Sequence, residues 1–306
     1  MSLSDDELTV YTISDEGYLP GVVGLVTSLR QHGFQGPICI GALDQPAKNL
    51  SGKNLGKVDL ETEEGDFPSN YKAELICTHA SGRFLFLDAD VVVADDTFMP
   101  RVEDWIGDAP TFAAEAIIPE TDHRRKVWRK VDNEKKVPSS PIYYNAGMFG
   151  GVWRRDQDLF EQWAELNRTV LESDAWHFSN VDFPMADQDT LNAVLQGLNR
   201  DELISIAPPD WWSAAAPHNP FLHVGGFPNG PAFFHCTTSQ KPWLLEQIPK
   251  RGPNVYERYW LKCVEEASPW ISYEVSLPSG VRRWLGEHWT VRVLNKLRRL
   301  GERLLS

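Results

Sequence analysis

Two aspartates one residue apart, Asp88 and Asp90, stand where an apolar run ends. Arg83-Phe84-Leu85-Phe86-Leu87 leads straight into Asp88-Ala89-Asp90, and Val91-Val92-Val93 follows. Such a run, opened by Ser81-Gly82, reads as a strand buried on both faces. Carboxylates at its end need a counter-charge or a metal, because an unpaired buried charge is strongly destabilising. On extended backbone, residues i and i+2 point to the same side, so the pair can address one ion. Hard oxygen ligands of this kind suit Mg²⁺ or Mn²⁺ carrying a diphosphate. The plain alternative is a strand end whose acids cap the next loop.

The elements that must position these acids follow from hydrophobic spacing. Residues 8–13 form a β-branched apolar run, a first strand. Residues 22–31 have helical spacing, with Val22, Val23, Val26 and Leu29 on one face, and Gly33 ends the helix. Residues 37–43 make a second strand, so the chain opens β-α-β with a parallel pair. Residues 48–66 are polar and read as loop-rich, and 71–80 as a helix leading into the central strand. Ligands of open α/β sheets sit beyond the carboxyl ends of the strands, which places Asp15 on the same rim as Asp88 and Asp90. Asp15 is equally well explained as a helix N-cap.

Further along, residues 111–118 read as a strand. Residues 124–136 carry seven basic side chains and two acids around Trp128, which favours a solvated helix over a cover for a phosphate-bearing ligand. In 142–152, Asn145-Ala146-Gly147 allows backbone to approach a ligand closely, although a β-bulge uses the same residues. Residues 156–171 form a helix with Leu159, Trp163, Leu166 and Val170 inward. Asp187-Gln188-Asp189 opens an apolar helix through Leu198, and acids in a first turn ordinarily serve the helix dipole. Residues 208–230, rich in Pro, Gly and Trp, read as a shaped loop whose Trp211 and Trp212 pack internally or offer a platform to a sugar. A short strand then ends in His235, which by itself is more often a satisfied structural group than a ligand, and Lys241 follows six residues later, within reach of a phosphate.

The whole composition narrows the class. With 306 residues, 42% of them hydrophobic, the chain is large enough for one catalytic domain with an appendage, read as residues 1–250 and 251–306. A net charge of −13 argues against nucleic acid as a partner. Four scattered cysteines without a Cys-x-x-Cys pair read as free thiols of a reducing compartment. No apolar h-region stands at the N-terminus and no run approaches a membrane span, so the expected location is the cytoplasm.

Taken together, the motifs resemble the retaining glycosyltransferases of family 8, which include bacterial lipopolysaccharide galactosyl- and glucosyltransferases and glycogenin. The carriers are Ser14-Asp15-Glu16-Gly17-Tyr18, Tyr71-Lys72-Ala73, Leu87-Asp88-Ala89-Asp90, Asn145-Ala146-Gly147, Asp187-Gln188-Asp189-Thr190-Leu191-Asn192, and His235 with Lys241-Pro242-Trp243. They span roughly residues 8–245 in the family's order. The resemblance implies the GT-A fold, a Rossmann-like α/β arrangement with a central mixed, mostly parallel sheet flanked by helices. It implies Mn²⁺ or Mg²⁺ on Asp88, Asp90 and His235, with Mn²⁺ favoured by the imidazole. Lys241 would contact the donor's phosphates, Asp15 and Tyr18 the uridine, and Lys72 the donor near its sugar. Asn145 and Asp187 would bind sugar hydroxyls, with Ala146 and Gly147 beside them, and Gln188 would lie near the β-face of the anomeric carbon. Gly17 stands where the family often has Asn, and Thr238 where a Gly is usual. Retained Asp189 is closer to the lipopolysaccharide branch than to glycogenin.

The implied reaction moves a hexose from UDP-galactose or UDP-glucose to a saccharide, lipid-linked or on a surface polysaccharide. Glycosyl–phosphate cleavage develops positive charge on the sugar and negative charge on the diphosphate. Glycosidases that retain configuration place a carboxylate on the opposite face. Here that position holds an amide, Gln188, which leaves front-face attack or a transient role for Asp189. Two other readings are a sugar nucleotidyltransferase, which the acidic stretch 14–17 disfavours, and an inactive nucleotide-sugar binder, which four retained site residues disfavour.

The tail carries a separate signal. Over 281–305, Trp289, Val293, Leu297, Leu300 and Leu304 fall at helical spacing, and Arg292, Lys296, Arg299 and Arg303 form a basic stripe beside them. Residues 271–306 carry a net +4, against −17 for the remainder. A basic face beside an apolar, Trp-bearing one suits an anionic membrane surface at the inner face of the cell membrane, and a helix docked on the catalytic domain is the alternative.

Overall fold

A computed structural model of the chain describes residues 7–61, 67–131, 142–173, 183–197, 205–207, 212–214, 233–237 and 240–286. The strands are β1 (Thr9–Ser14), β2 (Ile38–Ala42), β3 (Leu55–Asp59), β4 (Arg83–Leu87), β5 (Val91–Val93), β6 (Thr111–Ile117), β7 (Ile142–Val152), β8 (Ser205–Ala207), β9 (Trp212–Ala214) and β10 (Phe233–His235). The helices are α1 (Leu19–Gln31), α2 (Gln45–Lys48), α3 (Lys72–His79), α4 (Phe98–Asp108), α5 (His123–Val131), α6 (Trp153–Leu171), α7 (Ala186–Gly197), α8 (Val255–Glu265) and α9 (Ser279–Gly286).

Among the described residues, seven strands form one sheet in the order β3-β2-β1-β4-β7-β6-β8. It is mixed and mostly parallel, with β7 antiparallel to both β4 and β6. Both faces of its centre are covered, which explains the unbroken apolar runs. Along β1 and β4 the side chains alternate. Val10, Leu85 and Leu87 enter one core with α1, α4 and α8, while Tyr11, Ile13, Phe84 and Phe86 enter a second with α3, α6 and α7. The second core is aromatic: Phe86 stacks on Phe149 at 4.8 Å, and Trp163 meets Phe149 edge-on at 5.0 Å.

Three expectations need correction. The strand 83–87 ends at the acids as expected, but residues 88–90 are a turn and not extended backbone, so the chain changes course there. β4 stays in the large sheet and β5 joins a second sheet of order β5-β10-β9. A turn closed by Val91 N–H to Asp88 O at 3.0 Å joins them. Residues 48–66 are not all loop: β3 lies there as an edge strand, whose half-exposed position explains its polar composition. Nor is α5 solvated all round, because Arg125 and Trp128 are buried and Trp128 stacks on Tyr143 at 5.9 Å.

The chain beyond 250 returns to the first core. A capping box of Asn254 and Glu257 starts α8, and Trp260 donates to Pro20 O at 2.9 Å across α1. Gly24 makes room for that indole, since a Cβ there would stand 2.6 Å from it. Val281, Trp284 and Leu285 of α9 are buried in the same core. The remainder of the segment read as an amphipathic helix, 287–306, lies outside the described residues, as do 132–141 and Trp211. No helix among the described residues is long and apolar enough to cross a membrane.

Candidate active site

Asp88 leaves β4 and is held by its own backbone N–H, which donates to Gly147 O of β7 at 2.8 Å. The turn then carries Asp90 to the head of β5. There the antiparallel pairing of β10 with β5 sets His235 opposite Val91. The acids therefore meet the imidazole across two sheets, rather than pointing the same way along a single strand. His235 Nε2 lies 3.1 Å from Asp90 Oδ1 and 3.5 Å from Asp88 Oδ2. One ligand atom from each residue lies within 4.8 Å of the others, a spacing that one metal ion can span. Gly147 forms the wall of this cluster, where a Cβ would stand 2.5 Å from Asp88 Oδ2 and from His235 Cε1. Two carboxylates and an imidazole, with backbone cut back to glycine beside them, fit a divalent cation that keeps positions for substrate oxygens.

Two lysines complete the charge balance. Lys72, at the start of α3, reaches Asp88 Oδ1 at 2.9 Å and Asp187 Oδ2 at 3.0 Å, and donates to Ala146 O at 3.3 Å. Lys241 pairs with Asp90 and donates to Cys236 O. Apart from Asp88, the side chains in these ion pairs are almost fully buried. For Lys72, Lys241, Asp88 and Asp90 burial opposes the charge, but the partners outweigh it. Lys72 and His235 hold Asp88 below the usual carboxylate range, and His235 and Lys241 do the same for Asp90. His235, although buried, is pushed up to about 9 by Asp90 and Asp88. A ligating imidazole is neutral, so His235 would have to give up a proton to hold an ion.

The opposite wall is built from β7 and α7. Trp163 of α6 donates to Asp187 O at 2.9 Å and fixes the first turn of α7 against the sheet. Asn192 clasps β7 from both sides, accepting from Tyr144 N and donating to Tyr144 O, each at 2.8 Å. Gln188 Oε1 accepts from Ala146 N at 3.1 Å, and Asn145 Oδ1 from Gly147 N at 2.6 Å. Asp189 points away from this wall. It is fully buried, accepting from Tyr143 OH at 3.1 Å and from Met185 N at 3.1 Å, and burial raises its pKa to about 6.

Beyond Asp90 lies the first loop. Asp15 caps the short 3-10 helix Glu16–Tyr18, accepting from Tyr18 N at 3.0 Å, so the capping explanation holds for it. It thereby sets Tyr18, whose ring lies 5.8 Å from Lys241 Nζ and 6.1 Å, edge-on, from Trp243. Trp243 in turn donates to Gly17 O at 2.9 Å. The sequence-derived residues thus converge on one rim, from Asp15 and Tyr18 through the acid cluster to Asn145, Asp187 and Gln188. Asp189 alone stands behind the wall. Thr238 and the loop around Trp212's strand lie outside the described residues.

One residue of this wall is not apparent from the motifs. Glu115 of β6 accepts from Gln188 Nε2 at 2.7 Å and from Asn145 Nδ2 at 3.0 Å, and it is exposed. The sequence does carry a signal for it: a glutamate in the middle of Phe112-Ala113-Ala114-Glu115-Ala116-Ile117 breaks an otherwise apolar strand.

A mixed sheet with this order, bearing an acid pair at the end of its central parallel strand, is the GT-A fold, and comparison with solved structures agrees. The chain is similar to the bifunctional glycosyltransferase WbbM in its apo form (TM-score 0.57, 13% identity, 88% of this chain and 51% of that one). It is also similar to the galactosyltransferase LgtC in complex with donor and acceptor sugar analogues (TM-score 0.54, 17% identity, 90% and 99%). A third similar structure is the glycosyltransferase GlyE of Streptococcus pneumoniae TIGR4 (TM-score 0.53, 14% identity, 86% and 62%). The chain spans about half the length of WbbM and nearly all of LgtC. No protein-family model and no curated protein sequence matches it.

Proposed function

We propose that the protein is a metal-dependent retaining glycosyltransferase that moves a hexose from UDP-galactose or UDP-glucose to a saccharide acceptor. The observation that carries this reading is the buried cluster of Asp88, Asp90 and His235, flanked by Lys72 and Lys241, on the rim of a GT-A sheet. Asp88, Asp90 and His235 would hold Mn²⁺ or Mg²⁺, which when bound neutralises charge on the departing diphosphate. Lys241 adds positive charge at the same place without reorganisation, since it is already held between Asp90 and Cys236 O. Tyr18, with Asp15 behind it, offers an aromatic face for the uracil.

On the sugar side, Asp187 and Asn145 present hydrogen-bonding groups for hydroxyls, and Gln188 lines the wall beside them. Lys72 keeps Asp88 and Asp187 in fixed register. The burial of Asp189 behind Tyr143 supports front-face departure and attack over a covalent intermediate on that carboxylate. The basic, apolar pattern of 287–306 supports an acceptor presented at an anionic membrane surface.

Asp90→Ala and His235→Ala, assayed for Mn²⁺-dependent UDP release from UDP-hexoses, should each lose nearly all turnover. Wild-type rates in both variants would overturn the reading.

A further inference from the structure

Glu115 is placed by an irregularity in the sheet. In the pairing of β6 with β7, Ala114 lies opposite Tyr144 and Ala116 opposite Tyr143, so Glu115 is the extra residue of a bulge. A bulge takes one side chain out of the strand's alternation and re-aims it. The side chain re-aimed here is a carboxylate, and a single oxygen of it, Oε2, receives both Gln188 Nε2 and Asn145 Nδ2.

The far ends of the two amides are held as well. Backbone N–H groups can only donate, so Ala146 N and Gly147 N require the amide oxygens to face them. The two NH₂ groups must then face an acceptor, and Glu115 is that acceptor. Charge-assisted bonds of this kind are roughly twice as strong as neutral ones. Among the described residues Glu115 forms no ion pair, so these amides are its partners.

We propose that Glu115 is a positioning residue of the transfer reaction, its bulge-borne carboxylate locking the amides of Asn145 and Gln188 in the single orientation that the sugar-binding wall needs. The proposal rests on the glycosyltransferase reading above. Glu115→Ala leaves each amide held at its oxygen end alone, with its NH₂ group unpartnered and the side chain free to shift about that single bond, while leaving the acid cluster and the Tyr18 side untouched. A misplacement near 1 Å lowers rate by about 100-fold, so kcat should fall about 10- to 100-fold. Affinity for UDP with Mn²⁺ should stay unchanged. Glu115→Gln still presents one oxygen to both amides and should restore most of kcat.

The experiment measures kcat and KM for Mn²⁺-dependent UDP release with the full chain and both variants, together with calorimetric binding of UDP and Mn²⁺. The expected result is a fall in kcat for Glu115→Ala at constant UDP affinity, with rescue by Glu115→Gln. Wild-type kcat in Glu115→Ala overturns the proposal. So does Glu115→Gln as impaired as Glu115→Ala, which assigns the effect to charge, and so does a parallel loss of UDP affinity, which assigns it to folding. An unsubstituted chain that turns over no donor overturns the transferase reading itself, a result distinct from all of these.

Discussion

Adding one methyl group at Gly147 tests whether the acid cluster is a metal centre. A Cβ there would lie 2.5 Å from Asp88 Oδ2, 2.5 Å from His235 Cε1 and 2.6 Å from Asn145 Oδ1. Ordinary contact begins at 3.4 Å, so the side chains must yield by about 0.9 Å. A metal site tolerates only about 0.2 Å in its ligand distances, so displacement on this scale breaks the coordination. Overpacking of this kind destabilises a fold by about 1–3 kcal/mol, which lowers the melting temperature by several degrees without unfolding the chain. Gly147→Ala should therefore keep its fold by circular dichroism, lose at least about 10-fold in Mn²⁺ affinity by calorimetry, and lose about 100-fold in donor turnover. Wild-type Mn²⁺ affinity in a folded Gly147→Ala protein would refute the assignment of Asp88 and His235 to one ion.

Three further perturbations have definite outcomes. Lys72→Met leaves Asp88 and Asp187 without their shared cation, and removing one member of a buried ion pair destabilises by about 3–5 kcal/mol, read as a lower urea midpoint. Asp189 has its pKa raised from 3.8 to about 6 by burial, so the folded state holds its proton more tightly than the unfolded chain does. Its contribution therefore weakens stability as pH rises from about 4 to 6, by about 3 kcal/mol in all, and the stability of the wild type relative to Asp189→Asn should increase between pH 7 and pH 5 in urea titrations. Truncation after residue 286 should abolish co-sedimentation with vesicles containing anionic lipid, and equal binding by the shortened chain would refute the membrane role of the tail.

Much of the site is legible in the sequence because its residues are costly where they stand. Asp88 and Asp90 interrupt a run of buried apolar residues, so they call for a partner by position, whereas His235, at the end of another run, reads by itself as a structural group and is singled out only by the family resemblance. How they meet is not legible. The acids read as residues on extended backbone at a strand end, but they sit on the turn between two sheets, and the imidazole arrives from β10, more than 140 residues later. Hydrophobic period carries no information about which sheet a strand joins. The same limit hides Asp189, which shares a motif with Asp187 and Gln188 but, on the helix, faces Tyr143 instead of the site. Glu115 is hidden because a bulge shifts a side chain out of its expected face, and alternation alone cannot locate a bulge. The edge strand β3 reads as loop because an edge strand needs little apolar character, and α5 reads as solvated because its buried Arg125 counts as polar.

The central claim is metal-dependent, retaining transfer from a UDP-hexose, and acceptor-free donor hydrolysis tests it most directly. The protein would be incubated with a panel of UDP- and GDP-sugars in Mn²⁺ and again in EDTA, while released nucleotide and the anomer of the free sugar are followed. The account predicts UDP release from one hexose in Mn²⁺ alone, with the α-anomer appearing first. No release from any donor, together with no thermal shift on adding UDP and Mn²⁺, would contradict it.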